Sequence, residues 1–232
     1  MNKIVWAMVV SSVSLLSVGA GTATAQDLQQ KLAAAKQGAA ENQKALRAYS
    51  WLEKTELSLK GEVKNTKVDM CRYGPDGKVQ KTPVVEPPPP QKQRGLKGRV
   101  VAKKVGEMKE ELEAASALIH QYLPPDPEKM QVVMSAGTAS LAQAGPAALA
   151  LKFPGYQKQG DSLTLTLDSE AKVLQQLAVA TWLEKPSETV TFTVTMTALP
   201  DGTRYPSATV LSIPSSQIEV RVTKSNYQQL AQ

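Results

Sequence analysis

The residues of this chain that could carry out acid–base or nucleophilic chemistry are few and scattered. The sequence has one cysteine, Cys71, and one histidine, His120, in different predicted elements. A Cys/His nucleophile needs both side chains and an orienting third group in one place, and nothing near either residue supplies that group. The aspartates Asp161, Asp168 and Asp201 fall at predicted turns, where Asp forms local hydrogen bonds. We therefore expect no catalytic residues and predict that the protein is not an enzyme.

Motifs that bind cofactors and metals are also missing from the sequence. It contains no Gly-x-Ser-x-Gly elbow, no glycine-rich phosphate loop and no His/Cys cluster with metal-ligand spacing. We therefore expect no cofactor and no metal. Cys71 has no second cysteine to pair with, so a buried position in a strand is the favoured interpretation and an intermolecular bridge the alternative. His120 is interpreted as a capping or partly exposed residue.

The first 25 residues have the features of a secretory signal peptide. Lys3 supplies a short positive region, residues 4–18 are apolar, and Ala23-Thr24-Ala25 is a small-residue cleavage site. A transmembrane anchor is the alternative, but serines interrupt this short segment. We expect cleavage after Ala25 and export, to the periplasm if the source is a diderm bacterium. Loss of Lys3 lowers the net charge from +6 to +5 (6 − 1), which gives no reason to expect a nucleic-acid partner.

Residues Thr189 to Ala198 show the clearest secondary-structure pattern in the chain. Val190, Phe192, Val194 and Met196 alternate with threonines, and a strand places successive side chains on opposite faces. The pattern therefore predicts a strand with one apolar and one solvated face, which is typical of an antiparallel sheet covered on one side.

Three amphipathic segments are predicted to be helices: Asp27–Arg47, Lys104–Tyr122 and Asp126–Gly145. Each repeats apolar residues at steps of three and four. The third begins with Asp126-Pro127, an N-cap acid followed by proline at the first helical position.

These elements together predict an α+β fold in a single exported domain, residues 26–232. Eight or nine strands would form a curved antiparallel sheet, an incomplete β-barrel with helices on its concave side. Residues 104–145 would be the helical plug on that side, and residues 83–104 a proline-rich, basic excursion. Val173–Leu183 fits either a strand or a short helix, and Tyr227–Gln232 is expected to fray.

The order of elements and several residues resemble a known family. The first helix and strand carry the pattern A…N…L..Y.W, formed by Ala39 or Ala40, Asn42, Leu46, Tyr49 and Trp51. Residues 72–78 read RYGPDGK, and a helical interruption then precedes a run of strands. This arrangement resembles the exported outer-membrane lipoprotein-carrier superfamily, which includes a lipid-sensing regulator of envelope stress. The resemblance implies a half-open β-barrel, with helices across its concave side, that shields acyl chains from water.

The resemblance also implies a function, the binding or carrying of an apolar or amphipathic envelope component such as a lipid or lipidated protein. The residues expected to line its cavity are Trp51, Leu57, Ile119, Tyr122, Phe192, Val194 and Met196. Met108, Met130 and Met134 suit such a site because thioether side chains repack easily. The alternative is that these residues fill a closed core in a periplasmic adaptor, a structural or regulatory module that acts through protein–protein contacts.

The basic run that ends at Lys104 is the most distinctive charge feature of the sequence. It is either a solvated segment or a surface that meets an anionic membrane or an acidic envelope protein. The residues expected to make that contact are Lys97, Arg99, Lys103 and Lys104. Each cation near an anionic membrane contributes up to about 1 kcal/mol.

Changing these four residues to glutamate is expected to weaken binding to anionic vesicles at low salt, because the attraction to lipid headgroups becomes repulsion. Vesicle sedimentation measures the effect, with four charge reversals outside the run as the control. Unchanged binding would assign the run to the solvated surface.

Overall fold

The computed structural model describes residues 38, 40–84, 96–171 and 173–230, without the side chains of residues 96–101. This part of the chain contains ten strands, three α-helices and one short 3-10 helix, Pro214–Ser216. The strands are β1 Tyr49–Leu59, β2 Glu62–Tyr73, β3 Val79–Pro83, β4 Ser140–Gly145, β5 Ala148–Pro154, β6 Ser162–Asp168, β7 Leu174–Trp182, β8 Thr189–Ala198, β9 Arg204–Ile213 and β10 Ile218–Gln229. The helices are α1, residues 40–46, α2 Leu96–His120 and α3 Pro127–Ser135.

All ten strands form one antiparallel sheet that does not close on itself. Their order across the sheet is β3-β2-β1-β10-β9-β8-β7-β6-β5-β4. β1 thus pairs with β10 in the middle of the sheet, and β3 and β4 are its two edges. A curved, open antiparallel sheet accompanied by helices confirms the predicted α+β class.

The connection between the two edges places α2 and α3 on one face of the sheet. Ten strands about 4.8 Å apart would separate the edges by about 43 Å if the sheet were flat. α2 has 25 residues and is therefore about 37 Å long. The chain can return from β3 to β4 only across this distance, so a long helix over the sheet follows from the strand order.

The helices cover the face that carries the apolar residues of β8. Val190, Phe192 and Val194 are buried, whereas Thr191 and Thr195 are exposed, as the alternation predicts. We call the buried side the inner face and the other the outer face. On the inner face, apolar residues of the helices and strands form one core cluster, which includes Ala115, Ile119, Tyr122, Met130, Val133, Phe153, Leu163, Leu165, Leu177, Val179, Phe192 and Val194.

A double hydrogen bond holds α1 against the start of β9. The Asn42 Nδ2 donates to the Arg204 carbonyl oxygen at 2.8 Å, and the Arg204 backbone N donates to Asn42 Oδ1 at 2.7 Å. The asparagine therefore acts like a neighbouring strand at this point. Residues 27–37 and 39 of the predicted helix Asp27–Arg47 lie outside the described residues, and its last residue, Arg47, is in a turn.

The beginning of α3 confirms the predicted cap, but its end does not match the prediction. Asp126 Oδ1 accepts a hydrogen bond from the Glu128 backbone N at 2.9 Å, and Pro127 is the first helical residue. The helix ends at Ser135, ten residues before the predicted end at Gly145.

The predicted helical plug over residues 104–145 is therefore wrong in its last part, because Ser140–Gly145 is the edge strand β4. Gly137 has a φ of 68°, a left-handed conformation that ends the helix, and β4 then pairs with β5. Leu141, expected to face inward, is 61% exposed. This extra strand raises the number of strands to ten.

Three other boundaries also differ from the expectation. α2 begins at Leu96, so the predicted excursion of residues 83–104 is helical over its last nine residues. The ambiguous segment Val173–Leu183 contains a strand, β7, which pairs with both β6 and β8. β10 continues to Gln229 in register with β1, so the predicted fraying from Tyr227 is wrong.

Phe192→Ala is expected to lower the free energy of unfolding by about 3–5 kcal/mol, because it leaves a cavity in the packed inner face. Thr191→Ala, on the outer face of the same strand, is the matched control and should cost about 1 kcal/mol or less. Urea denaturation measures both values. Equal losses for the two variants would contradict the assignment of the faces.

Candidate functional site

The inner face is a continuous apolar surface from β5 to β1, and its cover becomes thinner towards β1. One row of register-paired residues crosses these seven strands: Phe153, Leu163, Val179, Phe192, Leu211, Val220 and Leu57. The first five are buried and the last two are only partly buried. Asn65, the partner of Leu57 on β2, is exposed. The helices therefore cover the β5–β9 part of the face more completely than the β1–β2 part.

Six of the seven residues predicted to line a cavity lie together around this core. Ile119, Tyr122, Phe192 and Val194 are buried members of the core cluster, and Leu57 and Met196 pack against it while partly exposed. Trp51 is buried but lies outside the core cluster. Among the three methionines, Met130 is buried, Met108 is partly buried, and Met134 is 42% exposed.

Polar contacts attach the segment after α2 to the β5–β6 connection and β7. The buried Tyr122 hydroxyl donates to the Asp161 carboxylate and lies 2.9 Å from Thr181 Oγ1. Burial, together with the bond to Asp161, raises the pKa of Tyr122 above its usual range. Asp161 also accepts hydrogen bonds from the backbone N of Gln157 and Lys158. This arrangement fixes the C-terminal end of the helix on the sheet.

At the β1–β2–β10 end of the inner face the residues become charged and aromatic. We call Trp51, Glu53, Asp69, Lys224 and Tyr227 the polar–aromatic cluster. Glu53 on β1 pairs in register with Asp69 on β2 and with Lys224 on β10. Both carboxylates are buried, at 4% and 2% exposure. Burial lowers the pKa of Lys224, and the neighbouring Glu53 carboxylate opposes this shift.

Two further lysines pair with the carboxylates of this cluster. Lys81 Nζ forms an ion pair with Glu53 Oε1, and Lys67 Nζ lies 2.7 Å from Asp69 Oδ2. Lys67 is half exposed whereas Asp69 is almost completely buried. Two carboxylates and three lysines therefore meet at this end, which leaves one excess positive charge if all five are ionised.

Aromatic rings surround the same charges. Trp51 is stacked on Tyr227 at 5.6 Å between centroids, and Tyr73 approaches the indole at 5.4 Å. Tyr205 lies 4.2 Å from Tyr227, and Lys224 Nζ lies 5.7 Å from the centroid of Trp51. Burial raises the pKa of Tyr227 and of Tyr73, so both hydroxyls stay protonated at neutral pH.

Two buried polar atoms of the polar–aromatic cluster have no hydrogen-bond partner, namely Trp51 Nε1 and Asp69 Oδ1. This cluster was not identified from the sequence, because within β1 alone a single acid such as Glu53 only interrupts an apolar face. The sequence did contain a signal for this cluster. Glu53 lies two residues after Trp51 on β1, and Asp69 lies two residues before Cys71 on β2, so each acid shares a strand face with a buried residue. Inward-facing charges at such positions need partners or a ligand.

The two residues considered for nucleophilic chemistry have structural roles: Cys71 is buried in β2, and His120 bonds to the backbone of α2. The buried position predicted for Cys71 is confirmed, and its pKa rises to about 12, chiefly through burial and also through the nearby Glu53 carboxylate. His120 Nδ1 donates to the Ser116 carbonyl oxygen at 2.7 Å. Within the described ranges, no group of three or more His, Cys, Asp or Glu residues is placed to hold a metal ion.

One pocket lies on the outer face, away from the predicted cavity residues. It has a volume of about 690 Å³ and is lined in part by Ala180, Trp182 and Thr191. Ala180 pairs with Thr191 and points away from the buried Val179. A second pocket of about 250 Å³ lies at the β1–β2 and β9–β10 turns. None of the seven predicted residues lines either pocket.

The basic residues proposed to contact membranes lie on α2 as far as they are described. Lys103 and Lys104 are exposed, and Lys103 lies 3.7 Å from Glu107. The side chains of Lys97 and Arg99 lie outside the described residues. Across the helices that the structure describes, none is long and apolar enough to span a membrane.

The chain has a distant structural neighbour but no match to a known protein family or to a curated protein. The crystal structure of a DUF1329 family protein from Desulfovibrio piger is similar, with 11% sequence identity and a TM-score of 0.37. The likeness covers 82% of this chain and 88% of that chain. At this identity and TM-score, the likeness identifies no family.

The buried thiol predicts a specific pH dependence of stability. In an unfolded chain Cys71 loses its proton near pH 8.5, whereas the folded protein retains it up to about pH 12. Between these values the unfolded state binds fewer protons, so the free energy of unfolding falls as pH rises, by up to about 1.4 kcal/mol per unit. Denaturation between pH 8 and 11 should show a steeper fall for the wild type than for Cys71→Ala.

Tyr73, Tyr122 and Tyr227 shift in the same direction and Lys224 in the opposite one. The two proteins share these residues, so their contributions cancel in the comparison apart from the small effect of the Cys71 charge on the pKa values of Lys224 and Tyr227. Parallel pH profiles for the wild type and Cys71→Ala would rule out a protected thiol.

Proposed function

We propose that this is an exported, non-enzymatic protein that binds or carries an apolar or amphipathic component of the cell envelope, such as a lipid or lipidated protein. The proposed site lies between the middle of α2 and the inner face of β1 and β10. We call it the α2 groove and define it by Leu57, Leu59, Met108, Leu112 and Val220.

The observation that carries this proposal is the incomplete burial of these five side chains. All of them pack against the core cluster and yet remain partly exposed. Ser216 contacts Glu111, which places the middle of α2 next to the β9–β10 connection, where Leu59 pairs with Ile218. Apolar residues of a helix and a sheet that remain partly accessible to solvent are suited to an apolar ligand.

The energetics favour an acyl chain in such a groove. Each buried CH₂ contributes roughly 0.8 kcal/mol, so a ten-carbon chain contributes several kcal/mol after the costs of ordering it. The contacts of Tyr122 hold the far end of α2 on the sheet, so the middle of the helix can shift without losing this attachment. Met108 can adapt its side chain to the ligand.

Export from the cytoplasm and contact with an anionic membrane belong to the same proposal. The N-terminal segment up to Ala25 would direct the chain to the periplasm, where lipids and lipidated proteins are available. Lys103 and Lys104 are exposed on α2 and would bring the groove to an anionic membrane or to an acidic envelope protein. No nucleic-acid partner and no cofactor are part of this function.

A second candidate function is a periplasmic adaptor with a closed core that acts through its surface. The observation that favours it is the complete burial of Ile119, Tyr122 and Phe192, since these residues already fill the space expected for a ligand. In this case the partly exposed residues of the α2 groove would be the margin of an ordinary core.

Binding of a fluorescent fatty acid distinguishes the two functions. The wild type is expected to bind the probe, and Met108→Gln should weaken binding about fivefold to tenfold, because it places a polar group against the chain. Val105→Gln changes an exposed residue of the same helix and should leave the affinity unchanged.

Mass spectrometry of extracts from the purified protein provides a measurement without an added probe. Stoichiometric lipid would support the carrier. A protein without lipid that also fails to bind the fatty acid would refute the carrier and leave the adaptor.

A further inference from the structure

Two unpaired polar atoms lie in the part of the inner face that the apolar ligand would not fill. Trp51 and Asp69 are each 2% exposed, and neither Trp51 Nε1 nor Asp69 Oδ1 has a hydrogen-bond partner. Leaving a buried donor or acceptor unpaired is unfavourable, and more so when the group is charged. A ligand group that pairs with both atoms would remove this cost.

The neighbouring contacts fix the positions of both side chains. Asp69 Oδ2 is held by Lys67 at 2.7 Å, and the second oxygen of the carboxylate, Oδ1, has no partner. The indole of Trp51 is stacked on Tyr227 with an angle of 13° between the rings and is approached by Tyr73. Neither side chain can turn to solvent without breaking these contacts.

The charges of the cluster limit the chemistry of the ligand. A cationic group would meet Lys67, Lys81 and Lys224, which outnumber the two carboxylates. An anionic group would meet the unpaired oxygen of Asp69. A pair of neighbouring hydroxyl groups fits both atoms, because one can donate to Asp69 Oδ1 while the oxygen of the other accepts from Trp51 Nε1.

We propose that the polar–aromatic cluster binds a neutral, hydroxyl-rich headgroup, such as a glycerol or sugar unit, of the amphiphile whose chain occupies the α2 groove. This inference rests on the proposed function. Glu53 lies four residues along β1 from Leu57, a distance of about 13 Å. One inner face thus carries an apolar section and, beyond it, a section of hydrogen-bonding groups, in the order in which an amphiphile presents its chain and its headgroup.

Two ligands with the same chain test this inference on the full chain. 1-Decanoylglycerol and methyl decanoate share a decanoyl ester and differ in the alcohol part, which in the glycerol ester carries two further carbons and two free hydroxyl groups. Isothermal titration calorimetry, below the concentrations at which either ligand aggregates, should show about fivefold to tenfold tighter binding of the glycerol ester.

Trp51→Phe removes the indole N–H and keeps an aromatic ring, and Asp69→Leu removes the unpaired carboxylate while keeping the same branched side-chain shape. In each variant, the ratio of the affinity for the glycerol ester to the affinity for methyl decanoate should fall towards one. The affinity for methyl decanoate itself should change less than twofold. Glu62→Leu is the matched control, since Glu62 pairs with Lys64 on the same strand but is exposed. It should keep the full preference.

A fluorescence measurement tests the same inference without any substitution in the cluster. With Trp6→Phe and Trp182→Phe, Trp51 is the only tryptophan of the chain. A hydrogen bond from Nε1 to the glycerol unit should shift its emission to longer wavelength, and methyl decanoate should not.

The outcomes separate the inference from the function on which it rests. Equal binding of the two esters, with no effect of the variants, would overturn the headgroup site and leave the carrier in place. Failure of both esters to bind would overturn the carrier itself. Binding of free glycerol as tightly as its ester would assign the cluster to a soluble polyol and also overturn the headgroup site.

Discussion

The pairing of β1 with β10 is the constraint on which the architecture depends. It places the first and the last strand side by side inside the sheet. β3 and β4 are therefore its edges. Consecutive strands that pair as hairpins need only short turns. The step from β3 to β4 cannot be short, because the whole sheet lies between them, so the chain crosses one face as a long helix. The inner face exists because of this crossing.

The two ends of that face use different interactions. Around β6–β8 it is filled with leucine, valine and phenylalanine, and the Tyr122 hydroxyl, from the segment after α2, is paired there with Asp161. At β1, β2 and β10 the face holds ion pairs and unpaired polar atoms instead. The first arrangement stabilises the fold by burial, whereas the second gains little net stability, because removing charges from water costs about as much as their pairing returns.

Local sequence patterns predicted the elements whose structure depends mainly on residues close to them in the sequence. The alternation in Thr189–Ala198 identified a strand and its two faces, and Asp126-Pro127 identified the start of α3, because periodicity and capping depend on near neighbours. The segment Ser140–Gly145 was assigned to a helix because Leu141 continues the three- and four-residue spacing of apolar residues in α3, but pairing with β5 determines its structure. No local pattern indicates that Glu53 pairs with both Asp69 and Lys224, since Lys224 comes from the far end of the chain.

The position of the charged residues argues against a purely structural role for them. Apolar side chains of similar volume are often as stable as a buried ion pair, and the β6–β8 part of this sheet shows that its inner face accepts such side chains. Packing therefore does not require Glu53 and Asp69. Their carboxylates are buried on β1 and β2, at 4% and 2% exposure, and apolar residues of β1 and β10 on the same face remain partly exposed. A ligand with an apolar and a hydroxylated part accounts for both features together, whereas a closed core accounts only for the β6–β8 part.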